Sequence, residues 1–382
     1  MQADKMTSDE LLSNTINYLR FPLCVLIVFL HFNLTGGLGI QGVKHGIDNP
    51  DWYFFIIRLV SETLGGLCVP LFFFISGYLF FYRNDFNGEV YKKKLFSRAK
   101  TLLIPYVLWN FIALIWKLKR FLPVVSSYYQ PAEIHFSIIR LINTFFCYND
   151  SNGIVVSSSL SETSLAIYPI NGPLWYVREL MIMVILSPVI FKSIKTMRMW
   201  FVITLGLVWF LLPVRFHGDS YARLFTIAAF FFSWGAFYSI IKTDIVGLFK
   251  RSHYLPVLYL IIVVTDIFTR DKNYNMLFNN TGIILGIASA FIIASYLLEY
   301  CFCKVRSQLA NSAFFVFALH QLFLGDVGRF LFIMLHIPEN NPYVMISFYF
   351  LVPVFTIMMC LSIYFLLKRY AALYLNLLTG GR

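Results

Sequence analysis

Hydrophobic residues along this chain form long continuous runs, separated by short segments that carry most of the charged residues. A helix needs about 20 apolar residues to cross about 30 Å of hydrocarbon, and the runs are of that order. They do not alternate with period two, as the strands of an outer-membrane barrel do. The pattern predicts about ten membrane-spanning helices, near residues 16–35, 63–82, 101–117, 173–191, 199–214, 222–241, 254–269, 280–299, 310–333 and 343–367.

Composition supports the same fold class. Of the 382 residues, 59% are hydrophobic and 13% are charged, whereas soluble domains carry about 25% charged residues. Lipid can solvate this much apolar surface, and a soluble fold of this length cannot bury it. No internal repeat or appended soluble domain is visible. The prediction is an all-α, polytopic transmembrane helical bundle, with residues 1–382 as a single membrane domain.

Charge placement predicts the orientation. The net charge of +12 comes from Lys and Arg in short loops, which is typical of topology signals rather than of nucleic-acid binding. With the N-terminus inside, about eighteen basic residues lie on the cytoplasmic side and about nine on the outer side. The positive-inside rule therefore predicts that both termini are cytoplasmic.

The sequence also predicts the structure or role of three segments outside these runs. Residues 52–62 are an amphipathic lead-in to the second span, where Arg58 and Glu62 are spaced to pair as i and i+4. Residues 133–148 are predicted to form an interfacial or re-entrant helix, because charged residues interrupt the apolar ones. The connection 118–172 ends in a polar stretch rich in Ser, Asn and Thr, which we expect to act as a partial lid.

Cysteine spacing gives no metal site. The six cysteines lie mostly in or beside apolar runs. Cys301 and Cys303 lack the second cysteine pair or the histidines that a zinc site needs. The prediction is therefore six structural cysteines and no metal.

The first span holds two side chains that a membrane rejects unless they face a cavity or a partner. Arg20 and His31 are eleven residues apart, close to three helical turns, so they share one stripe roughly 16 Å apart along the axis. A cation at the inner mouth and an imidazole further out suit a reaction that runs across the membrane. The alternative is that Arg20 snorkels to headgroups and His31 lies at the outer interface.

Two more segments carry candidates for ligand binding, and each has a plainer explanation. Ser76 and Gly77 lie in a phenylalanine-rich run, where close helix packing explains both. Arg98 and Lys100 belong to a basic inner rim that suits an anionic, phosphate-bearing ligand. The same rim follows equally from the positive-inside rule and from anionic lipid.

The fourth and ninth predicted spans add further candidates. Trp175 marks the membrane interface or stacks on a sugar ring. Arg178 and Glu179 are adjacent and cannot both face lipid at low cost, so we expect them to face a cavity. His320 lies close to mid-bilayer, where an unpaired imidazole is costly, and the alternative is a satisfied packing residue.

In this order, these segments resemble the integral-membrane acyltransferase-3 family, whose members O-acylate cell-surface sugars. The resemblance covers essentially the whole chain. One position departs from it: the family often has tyrosine three residues before the late histidine, and this chain has Phe317. The matching segments are Arg20-x10-His31, Val69–Leu79, Arg98 with Pro105, Tyr106 and Trp109, Pro173–Tyr176, and Phe317–His320.

The resemblance implies a reaction. An acyl group, commonly acetyl, would pass from cytoplasmic acyl-CoA to a hydroxyl of a cell-surface polysaccharide or its lipid-linked precursor. The setting would be a bacterial plasma membrane. Acetyl-CoA would be the donor substrate, with no permanently bound cofactor. The expected partners are this donor, a glycan acceptor and membrane lipid, without nucleic acid.

The same resemblance implies roles for the candidate residues. His31 would act as general base on the acceptor hydroxyl or carry the acyl group briefly on its ring. The cations expected to hold CoA are Arg20, Arg98 and Lys100. The residues expected to position substrate or stabilise the oxyanion are Trp175, Arg178 and His320, with Ser76 and Glu179 as further binding residues.

Two other classes of protein fit part of the pattern. A flippase or exporter of lipid-linked sugar, without chemistry, also needs intramembrane Arg and His residues and a basic rim. The missing two-half repeat tells against it, and dependence on acyl-CoA would discriminate the two. A non-catalytic membrane scaffold leaves the intramembrane charges unexplained.

Overall fold

A computed structural model describes residues 6–32, 50–83, 85–122, 126, 132–148, 152–157, 167–215, 220–301, 303–338 and 341–381, with the backbone alone for 157 and 212–215. One small antiparallel sheet pairs β1 (Ala132–Ile134) with β2 (Val155–Ser157). The helices are α1 (Ser8–His31), α2 (Asp51–Phe81), α3 (Gly88–Phe121), α4 (Ile138–Phe146), α5 (Gly172–Met197), α6 (Met199–Arg215), α7 (Tyr221–Ile240), α8 (Ile245–Arg251), α9 (Leu255–Phe268), α10 (Asn275–Tyr300), α11 (Ser307–Met334), α12 (Pro342–Tyr370) and α13 (Ala372–Thr379).

The prediction of an all-helical membrane protein is confirmed. Within the described ranges, eight helices are long and apolar enough to cross a membrane, and the number becomes nine if α8 and α9 form one span. Those two helices meet at a bend of 77°. The predicted span 199–214 forms α6, whose described apolar part, Met199–Leu211, is shorter than the other spans. The predicted lid falls largely outside the described residues.

Local sequence explains where several helices begin. Thr7 caps α1, because its side chain accepts a hydrogen bond from the backbone N–H of Glu10. Asn87 caps α3 in the same way through the N–H of Val90. A 3₁₀ turn over Gly172–Leu174, with proline in its first turn, starts α5 as its Gly-Pro sequence predicts.

The described chain divides into two compact units. The first contains residues 1–83 and 231–364, and the second contains residues 84–230 and 365–382. The helices α7 and α12 each contribute residues to both units. A single membrane domain over residues 1–382 stays a prediction.

In the first unit, α2 and α7 cross with their backbones in contact. A Cβ atom added at Gly77 would lie 1.9 Å from the carbonyl oxygen of Phe232, and one added at Gly235 would lie 1.9 Å from that of Phe74. Only glycine fits either position, so the two glycines permit the close approach reciprocally. The helix-packing explanation of this segment therefore holds for Gly77.

The first unit also contains a network of charged groups around the buried Asp266. Asp266, which is 2% exposed, accepts hydrogen bonds from Thr63 (2.8 Å) and Arg270 (3.1 Å). Arg270 in turn pairs with Glu62 at 2.8 Å, while Arg58 pairs with Asp271. The predicted Arg58–Glu62 pair is therefore wrong. The turn between α9 and α10 brings each of them a closer partner of opposite charge, which helical spacing alone does not reveal.

In the second unit, the segment around β1, α4 and β2 packs against α3. Leu114 of α3 forms a small buried cluster with Ile154 and Val155. At the other side of α3, the indole N–H of Trp109 donates to the carbonyl of Leu378 at 2.9 Å, so α13 packs against α3. The helix α3 is thus the element around which the described second unit is organised.

Candidate functional site

Two histidines of the first unit lie side by side. His31 is the last residue of α1, and His320 lies near the middle of α11. Their ring centroids are 5.3 Å apart, with an angle of 36° between the ring planes. His320 is fully buried, whereas His31 is exposed. The pair therefore offers one accessible imidazole with a buried one behind it.

Parallel packing of α1 and α11 brings the two rings together. The Cys24 thiol contacts the carbonyl oxygen of Ala313 at 3.2 Å. His31 and His320 each follow that contact by seven residues, which is close to two helical turns in both helices. Equal spacing along two parallel helices keeps the histidines at the same level.

A backbone contact defines the tautomer of His320. Its Nδ1 lies 3.1 Å from the carbonyl oxygen of Val316, one turn earlier. A carbonyl only accepts hydrogen bonds, so Nδ1 carries the proton of the neutral ring and Nε2 is an acceptor. This Nε2 is buried, and no donor for it lies among the described residues. A buried acceptor of this kind is expected to take a hydrogen bond from a ligand or from a neighbouring protonated group.

Side chains of α2 and α12 stabilise the last turn of α1. The Ser61 hydroxyl donates to the carbonyl oxygen of Phe29 at 2.6 Å, two residues before His31. Since the Ser61 proton is used there, the hydroxyl of Tyr349 donates to Ser61 Oγ, also at 2.6 Å. The ring of Tyr349 also packs on Phe29. These contacts fix the backbone that carries His31.

Phe317 occupies the position where the resemblance expects tyrosine. Its ring centroid lies 6.3 Å from that of His320, and its side chain is buried. It contributes apolar packing to the surroundings of the histidine pair, and no hydroxyl.

The other predicted residues of the first unit lie apart from this pair along their helices. Arg20 is half-buried on α1, with Pro22 of the same helix between it and His31. Ser76 is half-buried on α2, next to the glycine at the α7 crossing.

Arg178 and Glu179 form a buried ion pair in the second unit. The two side chains are 8% and 4% exposed, and Arg178 Nη2 lies 2.9 Å from Glu179 Oε1. Arg178 Nη1 donates to the carbonyls of Phe146 and Ile167, which lie on the connection between α3 and α5. Its guanidinium also faces the Tyr221 ring at 5.4 Å. The protein itself thus engages much of this guanidinium, and the ion pair anchors that connection to α5.

The remaining predicted residues also belong to the second unit. Trp175 is half-buried in the first turns of α5. Arg98 is half-buried and Lys100 is exposed, and both lie on α3 where five residues, Ala99–Leu103, are wound as π-helix. Among the described residues there is no group of three or more His, Cys, Asp or Glu that would hold a metal ion.

The sequence indicated each histidine separately, but it did not indicate the helix contacts that bring the two rings together. Cys24, Ala313 and Ser61 carry no chemistry that would single them out, and their partners lie far away in sequence. The carbonyl that orients His320 belongs to an ordinary helical residue. The one available signal was the position of each histidine inside an apolar helix.

The sequence of the chain matches a known protein family. The family described as an acyltransferase domain, acyltransferase-3, matches residues 13–367. The chain belongs to this family. It is a multi-pass membrane protein of the acyltransferase-3 family, as the sequence motifs predict.

A curated protein gives a more distant likeness. The chain is similar to the succinoglycan biosynthesis protein ExoH of Rhizobium meliloti (strain 1021), with 27% identity over 190 residues. The match covers 48% of this chain and 43% of ExoH, so it spans less than half of either protein. No solved structure matches the chain.

Proposed function

We propose that this acyltransferase-3 protein transfers an acyl group, acetyl in the first instance, from cytoplasmic acyl-CoA to a glycan hydroxyl. The acceptor is a cell-surface polysaccharide or its lipid-linked precursor. Family membership and the likeness to a succinoglycan biosynthesis protein support the reaction class and the acceptor class. The observation that carries the proposal is the contact between the accessible His31 and the buried His320.

His31 is the proposed general base. The acceptor hydroxyl gives its proton to a ring nitrogen of His31 while its oxygen attacks the thioester carbonyl carbon. The tetrahedral intermediate expels the CoA thiolate, which takes that proton from the imidazolium, so the products are an acyl ester and free CoA. In the variant of this scheme in which His31 carries the acyl group, donor alone leaves label on the protein, and a nucleophile such as hydroxylamine releases it because an acyl-imidazole is labile.

His320 is the proposed positioning partner. Its Nε2 is an acceptor, so it is suited to a hydrogen bond from the acceptor hydroxyl or from the protonated ring of His31. An oxyanion needs donors instead, which makes substrate positioning the better role for this nitrogen.

Three cations are each proposed to contribute to donor binding. Phosphate groups of CoA are bound best by Arg and Lys, and the candidates are Arg20 on α1 of the first unit and, on α3 of the second unit, Arg98 and Lys100. Trp175 is proposed to stack on the sugar, with Ser76 as a further contact. We propose that Arg178 and Glu179 act through the helix they anchor, by holding Trp175 in place, because the protein itself engages the guanidinium.

The proposed setting is a bacterial plasma membrane with both termini in the cytoplasm. In this orientation the basic segment at the start of α3 lies on the side where acyl-CoA is found. The support is the excess of Lys and Arg in the loops that would face the cytoplasm.

The test uses purified protein in liposomes with radiolabelled acetyl-CoA and an extract of the host's surface glycans. Wild type should move label to glycan, and His31→Ala should reduce transfer by about 10²–10⁴-fold. Both proteins should show the same elution profile and thermal unfolding. Full transfer by His31→Ala would remove the base assignment while leaving the reaction intact.

Transport of a lipid-linked sugar is the second candidate function. The 77° break between α8 and α9 favours it, because broken helices are common in transporters. Translocation of glycan lipid in the same vesicles, without any transfer of label, would support transport and contradict the acyltransferase proposal.

A further inference from the structure

The helix α4 in the second unit exposes apolar side chains and buries polar ones. Ile138, Ile139 and Ile142 are 72%, 71% and 53% exposed, whereas Leu141 and Phe145 pack against the buried cluster of this unit. Arg140 and Thr144, which are polar, are less exposed or fully buried. A helix on the surface of a soluble domain has the opposite arrangement.

The inward polar face satisfies the backbone of the hairpin that surrounds α4. Arg140 donates to the carbonyl of Gly153 at 3.0 Å. The Thr144 hydroxyl accepts from the N–H of Ile154 at 3.0 Å and donates to the carbonyl of Arg140 at 2.7 Å. The carbonyl of Thr144 accepts from the N–H of Ile170 at 2.9 Å. Polar groups of this segment thus find partners inside the protein.

The spanning helices of the second unit anchor the segment. The hydroxyl of Tyr106 on α3 donates to the carbonyl of Phe145 at 2.6 Å. Lys117, also on α3, bonds the hydroxyl of Tyr148, and Arg178 on α5 bonds the carbonyl of Phe146. The segment is therefore attached directly to α3 and α5, two helices long enough to span the membrane.

The spanning helix α3, which this segment contacts, exposes apolar side chains of its own. Phe111 and Ile115 on α3 are 52% and 53% exposed and belong to a helix long enough to span the membrane. The chain that leads into α4 adds Ile134 and Phe136, which are 56% and 75% exposed. Hydrocarbon tolerates non-spanning backbone only when its polar groups are satisfied inside the protein, and the hydrogen bonds of Arg140, Thr144, Phe145 and Phe146 act in that direction.

We propose that the segment Ile134–Phe146 is embedded in one leaflet of the bilayer without crossing it, with its isoleucine face against lipid acyl chains. Glu133 and His135, an exposed pair with 3.1 Å between their side-chain atoms, mark the edge where headgroups and water begin. The partner of this surface is therefore lipid hydrocarbon. The proposal is independent of which acyl group or acceptor the protein uses.

Photocrosslinking in liposomes tests this surface. A benzophenone-bearing phenylalanine replaces Ile139, and matched proteins carry it at Phe111 on the spanning helix or at Glu89, an exposed polar position of α3. After illumination, intact-mass measurement should detect phospholipid adducts at 139 and 111, at least tenfold more than at 89. If the protein with the probe at 139 does not fold, the neighbouring exposed Ile138 takes the probe.

Two outcomes would overturn the proposal. Crosslinks from position 139 to another part of this chain, or to a second copy, would show that protein covers the isoleucine face. A yield of lipid adduct at 139 as low as at 89 would show that the face meets water. Acyltransfer activity of wild type is measured in the same liposomes, so failure of this proposal is distinguishable from failure of the proposed reaction.

Discussion

The imidazoles of His31 and His320 are 5.3 Å apart, although 288 residues separate them in the sequence. One ring is accessible and the other is fully buried with an acceptor nitrogen that finds no partner in the described structure. A buried polar atom without a partner lowers stability, and such atoms persist where function needs them. Because one imidazole is exposed and the other is buried, single substitutions can test the role of each histidine separately.

Replacing His320 with leucine should lower activity and leave stability equal or higher. The substitution removes a buried acceptor without a partner in the described structure and restores an apolar environment. We expect glycan acylation to fall by at least about tenfold, at the low end of what a positioned imidazole contributes. Thermal unfolding in detergent and label transfer in liposomes are measured on the same preparation.

Phe317→Leu is the matched control for this change. Phe317 is buried one turn earlier on the same helix, and its truncation leaves a cavity that should cost stability by about 1–3 kcal/mol. We expect its activity per folded molecule to stay near that of wild type. Full activity of His320→Leu would show that the buried ring only packs.

Removing the Ser61 hydroxyl should act on catalysis through the position of His31. Ser61→Ala removes one donor to the Phe29 carbonyl and the acceptor of the Tyr349 hydroxyl, at a cost of about 1–3 kcal/mol. We expect kcat to fall while KM for the acyl donor stays unchanged, and Ser61→Thr to rescue kcat. Ser289→Ala is the control, since that buried hydroxyl has no partner in the described ranges. A change in donor KM alone would contradict the positioning role.

A methyl group at the α2–α7 crossing should be poorly tolerated. Gly77→Ala places a Cβ 1.9 Å from a backbone oxygen, so the two helices must separate. Overpacking of this kind costs about 1–3 kcal/mol or more. Gly66→Ala on the same helix has open space around its Cβ and should leave the melting temperature unchanged or raise it. Equal melting temperatures for the two variants would contradict the close crossing.

Breaking the Arg178–Glu179 pair should destabilise the protein more than removing both charges. Arg178→Gln leaves a buried carboxylate without its counter-ion, which costs about 3–5 kcal/mol. The double variant with Glu179→Gln should recover part of this loss and part of the activity. A double variant that is as stable as wild type but fully inactive would show that these side chains contact substrate directly.

Much of the fold follows from the sequence because lipid solvent imposes simple rules. Length and apolarity located the spans, and the motifs identified the family. The Gly77 crossing was among the alternatives, because a small residue in a row of phenylalanines has few other uses. These predictions depend on residues close together in the chain.

The sequence alone could not identify the ion-pair and hydrogen-bond partners that lie far away along the chain. Arg58 was matched with Glu62 because the two are near in sequence, whereas Asp271 is the partner in space. Arg178 was expected to face a cavity, and the sequence did not indicate the two carbonyls of the preceding connection that it bonds. A charged residue inside a span signals that a partner exists, and only the packed structure identifies it.

The equal seven-residue spacing from the Cys24–Ala313 contact to the two histidines determines whether their rings meet. One residue inserted between Cys24 and His31 would turn the imidazole by about 100° around the helix and shift it by about 1.5 Å, so it would no longer meet its partner. Seven inserted residues would nearly restore the angle but lift the ring by about 10 Å. The length of this helical segment is therefore itself a functional constraint, one that tolerates exchange of its apolar side chains but not a change in their number.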